Sequence, residues 1–360
     1  MRKAFISDCE GPISKNDNAY EITSRFVPEG SRLYAIISRY DDVLADVLKR
    51  PGYEAGYTLK LILPFLKAYC ATDLKMQEYS AAKLMLIQDA KNTLQHARSI
   101  AQAFVVSTSY EHYIKALCQA LDFPYANAYC TRVSIDKYHM TEQEKNQLRK
   151  LTAEIVQMHV VEIRSNAKSV QDFSDADRKT IRRLDEIFWH EITNLEIGRI
   201  YSEVDPMGGC KKAEAIEDIV EKTGIGLSDV MYVGDSITDE EAFKLVRRGD
   251  GLTVSFNGNQ YAVRNAEIAV MSENSVPTAI IADIFCRSGK QLALRLAGDW
   301  NIEALKKSRV GPDLLERLLR FQVDKSYMVE TVKEENVEEL VKKSTEFRKE
   351  VRGEAVGSLG

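Results

Sequence analysis

Asp8 and Glu10 stand where a short apolar run, Lys3-Ala4-Phe5-Ile6-Ser7, gives way to Asp-Cys-Glu-Gly-Pro. Gly11 and Pro12 cannot continue a strand, so the run reads as a buried strand delivering two carboxylates into a turn. In an open α/β sheet, ligands bind in the crevice beyond the carboxyl ends of the strands, which is the place this gives Asp8. The competing reading is structural: Asp8 caps a turn and Glu10 is solvated. A second apolar run, Phe104-Val105-Val106, ends in Ser107-Thr108-Ser109 ahead of a helix marked by Tyr110, Ile114, Leu117 and Leu121. Hydroxyls beside the free N–H groups of a helix start suit a phosphate, although Ser109 acting as a plain helix cap accounts for the same residues. A third run, Val230-Met231-Tyr232-Val233, opens into Gly234-Asp235-Ser236-Ile237-Thr238-Asp239. Thr238 with Glu241 reads as a capping box and explains Asp239 as a first-turn acid, whereas Asp235 has no such structural account.

These residues need elements to carry them. Residues 14–99 are helical in character, and the last of these helices places Ala90, Leu94, Ala97 and Ala101 on one face before the strand at Phe104. Residues 136–199 read as a hairpin of two long helices. Thr141-x-x-Glu144 and Ser174-x-x-Asp177 open them, and the stripes are Leu148, Leu151, Ile155, Met158 and Ile181, Leu184, Phe188, Ile192. With narrow stripes and charged flanks, the hairpin is expected to pack on itself or on a second subunit, giving a homo-oligomer. The strand and helix alternation then resumes. A helix from Lys211 turns Ala213, Ile216 and Val220 inward and stops near Gly224, and strands follow at 230–233, 252–256 and 268–271, the last of the sheet. Residues 290–360 are helical again, with a small polar tail from Gly353 expected to be disordered.

Composition narrows the function. The chain has 360 residues, 44% hydrophobic and 29% charged, with a formal net charge of −5, as in soluble globular proteins with no global attraction to nucleic acid. No run approaches the roughly 18 apolar residues of a membrane span. Six cysteines lack any Cys-x-x-Cys spacing, which argues against a zinc site or a disulfide framework, and a cytoplasmic location is expected.

Four motifs in order, DCEGP at 8–12, FVVS ending at Ser107, KKAEAI from Lys211 and GDSITD at 234–239, resemble the haloacid dehalogenase superfamily of phosphohydrolases, its phosphoserine-phosphatase-like members most closely. The resemblance implies an α/β fold. A Rossmann-like core with a parallel sheet flanked by helices is expected from residues 1–13, 100–135 and 200–289. Residues 14–99 would form a helical cap, 136–199 an inserted hairpin and 290–360 a helical extension.

It also implies a Mg²⁺-dependent phosphomonoesterase acting on a small phosphorylated metabolite through an aspartyl-phosphate. Asp8 would be the nucleophile and Glu10 the proton donor. Ser107 or Thr108, together with Lys212, would hold the phosphoryl group. Asp8, the Glu10 carbonyl and Asp235 would hold the metal, with Asp239 supporting that shell directly or through water. The family carries Asp where this chain has Glu10. An added methylene moves the proton donor, so low turnover is expected, improved by Glu10→Asp. The alternative reading is a weakly active or non-catalytic binding or assembly subunit.

Overall fold

The computed structural model describes residues 3–164, 167–322 and 327–358. Asn166, between the two helices expected in the 136–199 hairpin, and Leu359 and Gly360 of the tail lie outside the described residues.

Among the described residues seven strands form one sheet: β1 (Ala4–Ser7), β2 (Gln102–Tyr110), β3 (Ala128–Thr131), β4 (Val230–Gly234), β5 (Leu252–Phe256), β6 (Ile268–Met271) and β7 (Met328–Thr331). Their order is β3-β2-β1-β4-β5-β6-β7, parallel except for the antiparallel edge strand β7. Near-continuous burial of β1, β4 and β5 follows from their apolar sequences, as a parallel sheet covered on both faces requires. On one face Phe5, Val105, Met231 and Val254 meet helices Ala90–Ile100, Glu111–Leu121 and Val276–Ser288. On the other, Ile6, Val106 and Tyr232 meet helices Cys210–Thr223 and Glu240–Arg248. Ser7 is in register with Val105 on one side and Val233 on the other. The carboxyl ends of β1, β2 and β4 are therefore neighbours, and the three motifs found in sequence converge.

A separate apolar cluster lies apart from the sheet, among the helices expected to form the cap. Leu33, Ile36, Ile62 and Phe65 from helices Gly30–Asp42 and Thr58–Ala68 share it with Leu148, Leu151, Ile155, Ile181, Leu184 and Phe188. The hairpin stripe is thus buried against helices Gly30–Asp42 and Thr58–Ala68 of the same chain. Tyr40 stacks on Phe188 at 5.7 Å, and its hydroxyl receives the Trp189 Nε1–H at 2.8 Å, sealing that contact.

Other expectations change with packing. Helix Ala90–Ile100, grouped with the cap by sequence, buries Ala90, Leu94 and Ala97 in the sheet core. The C-terminal segment supplies β7 and puts Ala293, Leu296, Leu314 and Leu318 into that core, so β6 is not the last strand. Part of the tail is ordered as a short helix, Glu354–Gly357.

Candidate active site

Asp8 continues β1 by one residue, its N–H donating to the Val233 carbonyl at 2.8 Å. Its Oδ1 accepts from the Cys9 N–H at 2.6 Å, and its Oδ2 from Lys212 Nζ at 2.6 Å. Lys212 projects from the first turn of helix Cys210–Thr223, whose buried face is Lys212, Ala215, Ile216 and Ile219. That face is rotated from the expected Ala213, Ile216, Val220 stripe, because the lysine itself points inward. The same ammonium donates to Asp239 Oδ1 at 2.7 Å, and the Tyr232 hydroxyl donates to that oxygen at 2.6 Å. Asp239 Oδ2 accepts the N–H groups of Asp235 at 2.9 Å and Ser236 at 3.0 Å. The capping box here is Ser236 with Asp239, not Thr238 with Glu241. All four of Asp8, Lys212, Asp235 and Asp239 are 4% exposed or less, so their charges are felt at low dielectric.

Electrostatics follow from that burial. Desolvation pushes the Asp8 carboxyl up to about 7, with Lys212 pulling against it and Asp239 and Asp235 adding to the rise. Burial opposes the Lys212 charge, but Asp239 and Asp8 outweigh it and hold the ammonium above its ordinary range. For Asp239 burial is outweighed by Lys212, which holds the carboxyl below its usual range.

Two glycines permit the close packing. Gly11 has φ +102°, and a Cβ there would fall 2.3 Å from Asp235 Oδ2. A Cβ on Gly234 would fall 2.5 Å from Asp239 Cγ.

Ser107 and Thr108 lie on β2 itself, which runs on to Tyr110 before helix Glu111–Leu121 begins without a side-chain cap. Ser109 is therefore not the helix cap, and Ser107 does not sit at a helix N-terminus. Its hydroxyl is buried, and its Oγ accepts from the Ser109 N–H at 3.3 Å. Thr108 Oγ1 is buried and has no hydrogen-bond partner among the described residues. Both face a cleft of about 100 Å³, lined also by Asp8, Glu10, Asp235 and Arg348. The cap side of this cleft includes Tyr34, Ser38 and Asp41.

Glu10 Oε1 accepts the N–H of Asn18 at 2.7 Å, at the start of the first cap helix, Asn18–Phe26. Burial first, and then Asp17, push its carboxyl well above the ordinary range. The longer side chain thus reaches the cap helix while keeping its carboxyl in the cleft.

One oxygen from each of Asp8, Asp235 and Asp239 lies within 4.8 Å of the others, a hard-oxygen cluster compatible with a divalent cation. Asp239 is the least suited to direct ligation, since both its oxygens already accept at least two hydrogen bonds. Asp8 and Asp235 fit best as donors.

Sequence reading missed three residues. Arg348 and Arg352, on helix Val337–Arg352, both pair with Asp235 Oδ2, Arg352 at 3.1 Å. Their signal was the spacing Leu340, Ser344, Arg348, Arg352, one helical face turning from apolar to cationic. Asp41 was missed as well; its Oδ2 accepts from the Thr58 hydroxyl at 2.8 Å and from the Gly56 and Thr58 N–H groups.

Over its full length the chain is similar to gene product AF1437 from Archaeoglobus fulgidus, at 25% identity and a TM-score of 0.81, covering 100% of this chain and 99% of that one. Apo phosphoserine phosphatase aligns at 15% identity and a TM-score of 0.41, covering 76% of this chain and 96% of that one. A substrate-bound phosphoserine phosphatase aligns at 14% and 0.43, covering 76% and 95%. No curated protein matches. Residues 70–279 match the family model of haloacid dehalogenase-like hydrolases. With more than half of its length inside that match, and with Asp8, Lys212 and Asp239 joined at the ends of β1 and β4, the chain belongs to the haloacid dehalogenase-like hydrolases.

Proposed function

We propose that this chain is a phosphomonoesterase acting on a small phosphorylated metabolite, with Asp8 as nucleophile and Mg²⁺ as cofactor. The observation that carries the reading is the buried Asp8–Lys212–Asp239 chain facing a polar cleft that contains Ser107 and Thr108. Such a cleft, with an unpartnered buried hydroxyl on Thr108, is suited to a ligand rich in acceptors.

Asp8 Oδ1 and Oδ2 are both held, by the Cys9 N–H and by Lys212, so the carboxylate meets phosphorus in one orientation. Its attack forms the Asp8–phosphorus bond as the ester oxygen leaves with its electron pair. Glu10 gives that oxygen a proton, and as carboxylate it then takes one from the water that cleaves the aspartyl-phosphate. Ser107 and Thr108 offer hydroxyl donors to the phosphoryl oxygens, and Lys212 offers positive charge beside them. Asp239 and Tyr232 keep Lys212 in place and do not touch substrate. Asp8, the Glu10 carbonyl and Asp235 would hold Mg²⁺, which when bound offsets the repulsion between carboxylate and phosphate.

The cap wall of Tyr34, Ser38 and Asp41 is polar, in keeping with a small metabolite and not with nucleic acid. Among the described residues no helix is long and apolar enough to cross a membrane, and all six cysteines are unpaired, which supports a cytoplasmic setting. One observation favours a second reading, a subunit with little turnover: Asp235 is already neutralised by two arginines.

Turnover of p-nitrophenyl phosphate decides between them. Activity with Mg²⁺, lost in chelator and abolished by Asp8→Asn, is expected. Metal-independent activity that survives Asp8→Asn would reject the nucleophile.

A further inference from the structure

Helix Val337–Arg352 enters the active site from the far end of the chain. Ser344 Oγ donates to the Gly258 carbonyl at 2.6 Å, fixing the helix against the loop after β5. One helical turn on, Arg348 is 3% exposed and donates through Nη1 to Asp235 Oδ2 and to the carbonyls of Asp235 at 3.3 Å and Asn257 at 3.4 Å. Its Nε is buried without a partner among the described residues. Another turn on, Arg352 donates to Asp235 Oδ2 at 3.1 Å, to the Lys15 carbonyl at 3.1 Å and to the Asn16 carbonyl.

Residues 15 and 16 belong to the hinge where the chain leaves the core for the cap and returns from it. The Lys15 N–H donates to the Met85 carbonyl at 2.8 Å, and the Met85 N–H to Asn16 Oδ1 at 2.8 Å. Arg352 therefore ties the outgoing hinge segment to Asp235, and the pairing of Lys15 and Asn16 with Met85 links that segment to the returning one. Two guanidinium groups on one carboxylate oxygen also put two positive charges where a divalent cation would find its Asp235 donor.

We propose that Arg348 and Arg352 form a latch that competes with the divalent cation for Asp235, so that cation entry withdraws the arginine helix and frees the cap hinge. This rests on the cation site proposed above. The latched chain is a resting state whose charge is balanced internally, with Asp8, Asp235 and Asp239 facing Lys212, Arg348 and Arg352. Its apparent cation affinity is reduced by the fraction of chains that are unlatched.

Mg²⁺ binding by calorimetry, on the full chain and on the double variant Arg348→Ala/Arg352→Ala, tests this. A latch closed in nine chains of ten predicts that the variant binds Mg²⁺ about tenfold more tightly. Equal or weaker binding by the folded variant would mean that cation and arginines use separate oxygens of Asp235, overturning the latch while leaving the cation site standing. No Mg²⁺ binding by either protein would overturn both.

Hydrogen exchange on the unmodified chain decides the matter if the variant does not fold. Added Mg²⁺ is expected to speed exchange of the amides of residues 344–352 and of the hinge at 15–17. Unchanged or slower exchange there would refute the latch.

Discussion

Lys212→Met removes the only cation that touches both Asp8 and Asp239 among the described residues. The lysine is fully buried and donates to each carboxylate at 2.7 Å or less. Its removal strands two buried carboxylates, and breaking a buried ion pair in this way costs about 3–5 kcal/mol. Met fills most of the lysine volume, so a cavity contributes little to that loss. The cost is expected to depend on pH in a definite direction. Without the ammonium, both carboxyls hold protons more readily in the folded chain than in the unfolded one, where Asp titrates near 3.8. A folded carboxyl with a raised pKa stabilises the fold below its unfolded pKa and loses that contribution as pH rises. The deficit of the variant is thus largest at pH 8 and shrinks toward pH 5, where Asp8 and Asp239 take up protons. Urea unfolding of both proteins at the two pH values measures it, with phosphatase assays confirming loss of turnover. A deficit below about 1 kcal/mol, the scale of an exposed pair, or one independent of pH, would refute the view of Lys212 as the neutralising centre of a buried cluster.

Three further outcomes are expected. Gly11→Ala places a Cβ 2.3 Å from Asp235 Oδ2 at a φ of +102°, and is expected to lower stability by about 1–3 kcal/mol and turnover with it; denaturant melts and initial rates check both. Glu10→Asp shortens the reach to the Asn18 N–H, now 2.7 Å, so turnover falls by about 10²-fold and does not rise. A gain in rate would show that the tether to the cap helix is dispensable. Glu21 is held by Asn16, but burial pushes its carboxyl from 4.5 to about 7. Its raised pKa makes the wild-type chain lose stability between those values as pH rises, and Glu21→Gln is expected to flatten that slope in unfolding titrations.

The convergence of Asp8, Ser107, Lys212, Asp235 and Asp239 was legible because each follows a short apolar run or opens a helix with clear stop signals, and such runs become neighbouring strands in a parallel sheet. Local chemistry was read less well. Ser109 was a reasonable cap, but backbone pairing of β2 with β3 through Tyr110 and Thr131 carries the strand past it. The hairpin stripe announced that something must cover it, while its partner, a cap helix some hundred residues earlier, leaves no local trace. Arg348 and Arg352 were hidden for the same reason. A helix rich in Lys, Arg and Glu reads as solvated, and only the position of Asp235 in space turns two of its charges inward. Glu10 was judged by length against the family pattern, without knowledge that Asn18 waits at the end of the longer arm.

The second apolar body of this molecule is not a detachable module. Its apolar interior is assembled from chain that precedes β2 and chain that follows β3, so the polypeptide passes between the two bodies four times. Any graft meant to alter selectivity has to transplant residues 17–82 and 133–204 together, since either piece alone would carry a bare oily face into its host.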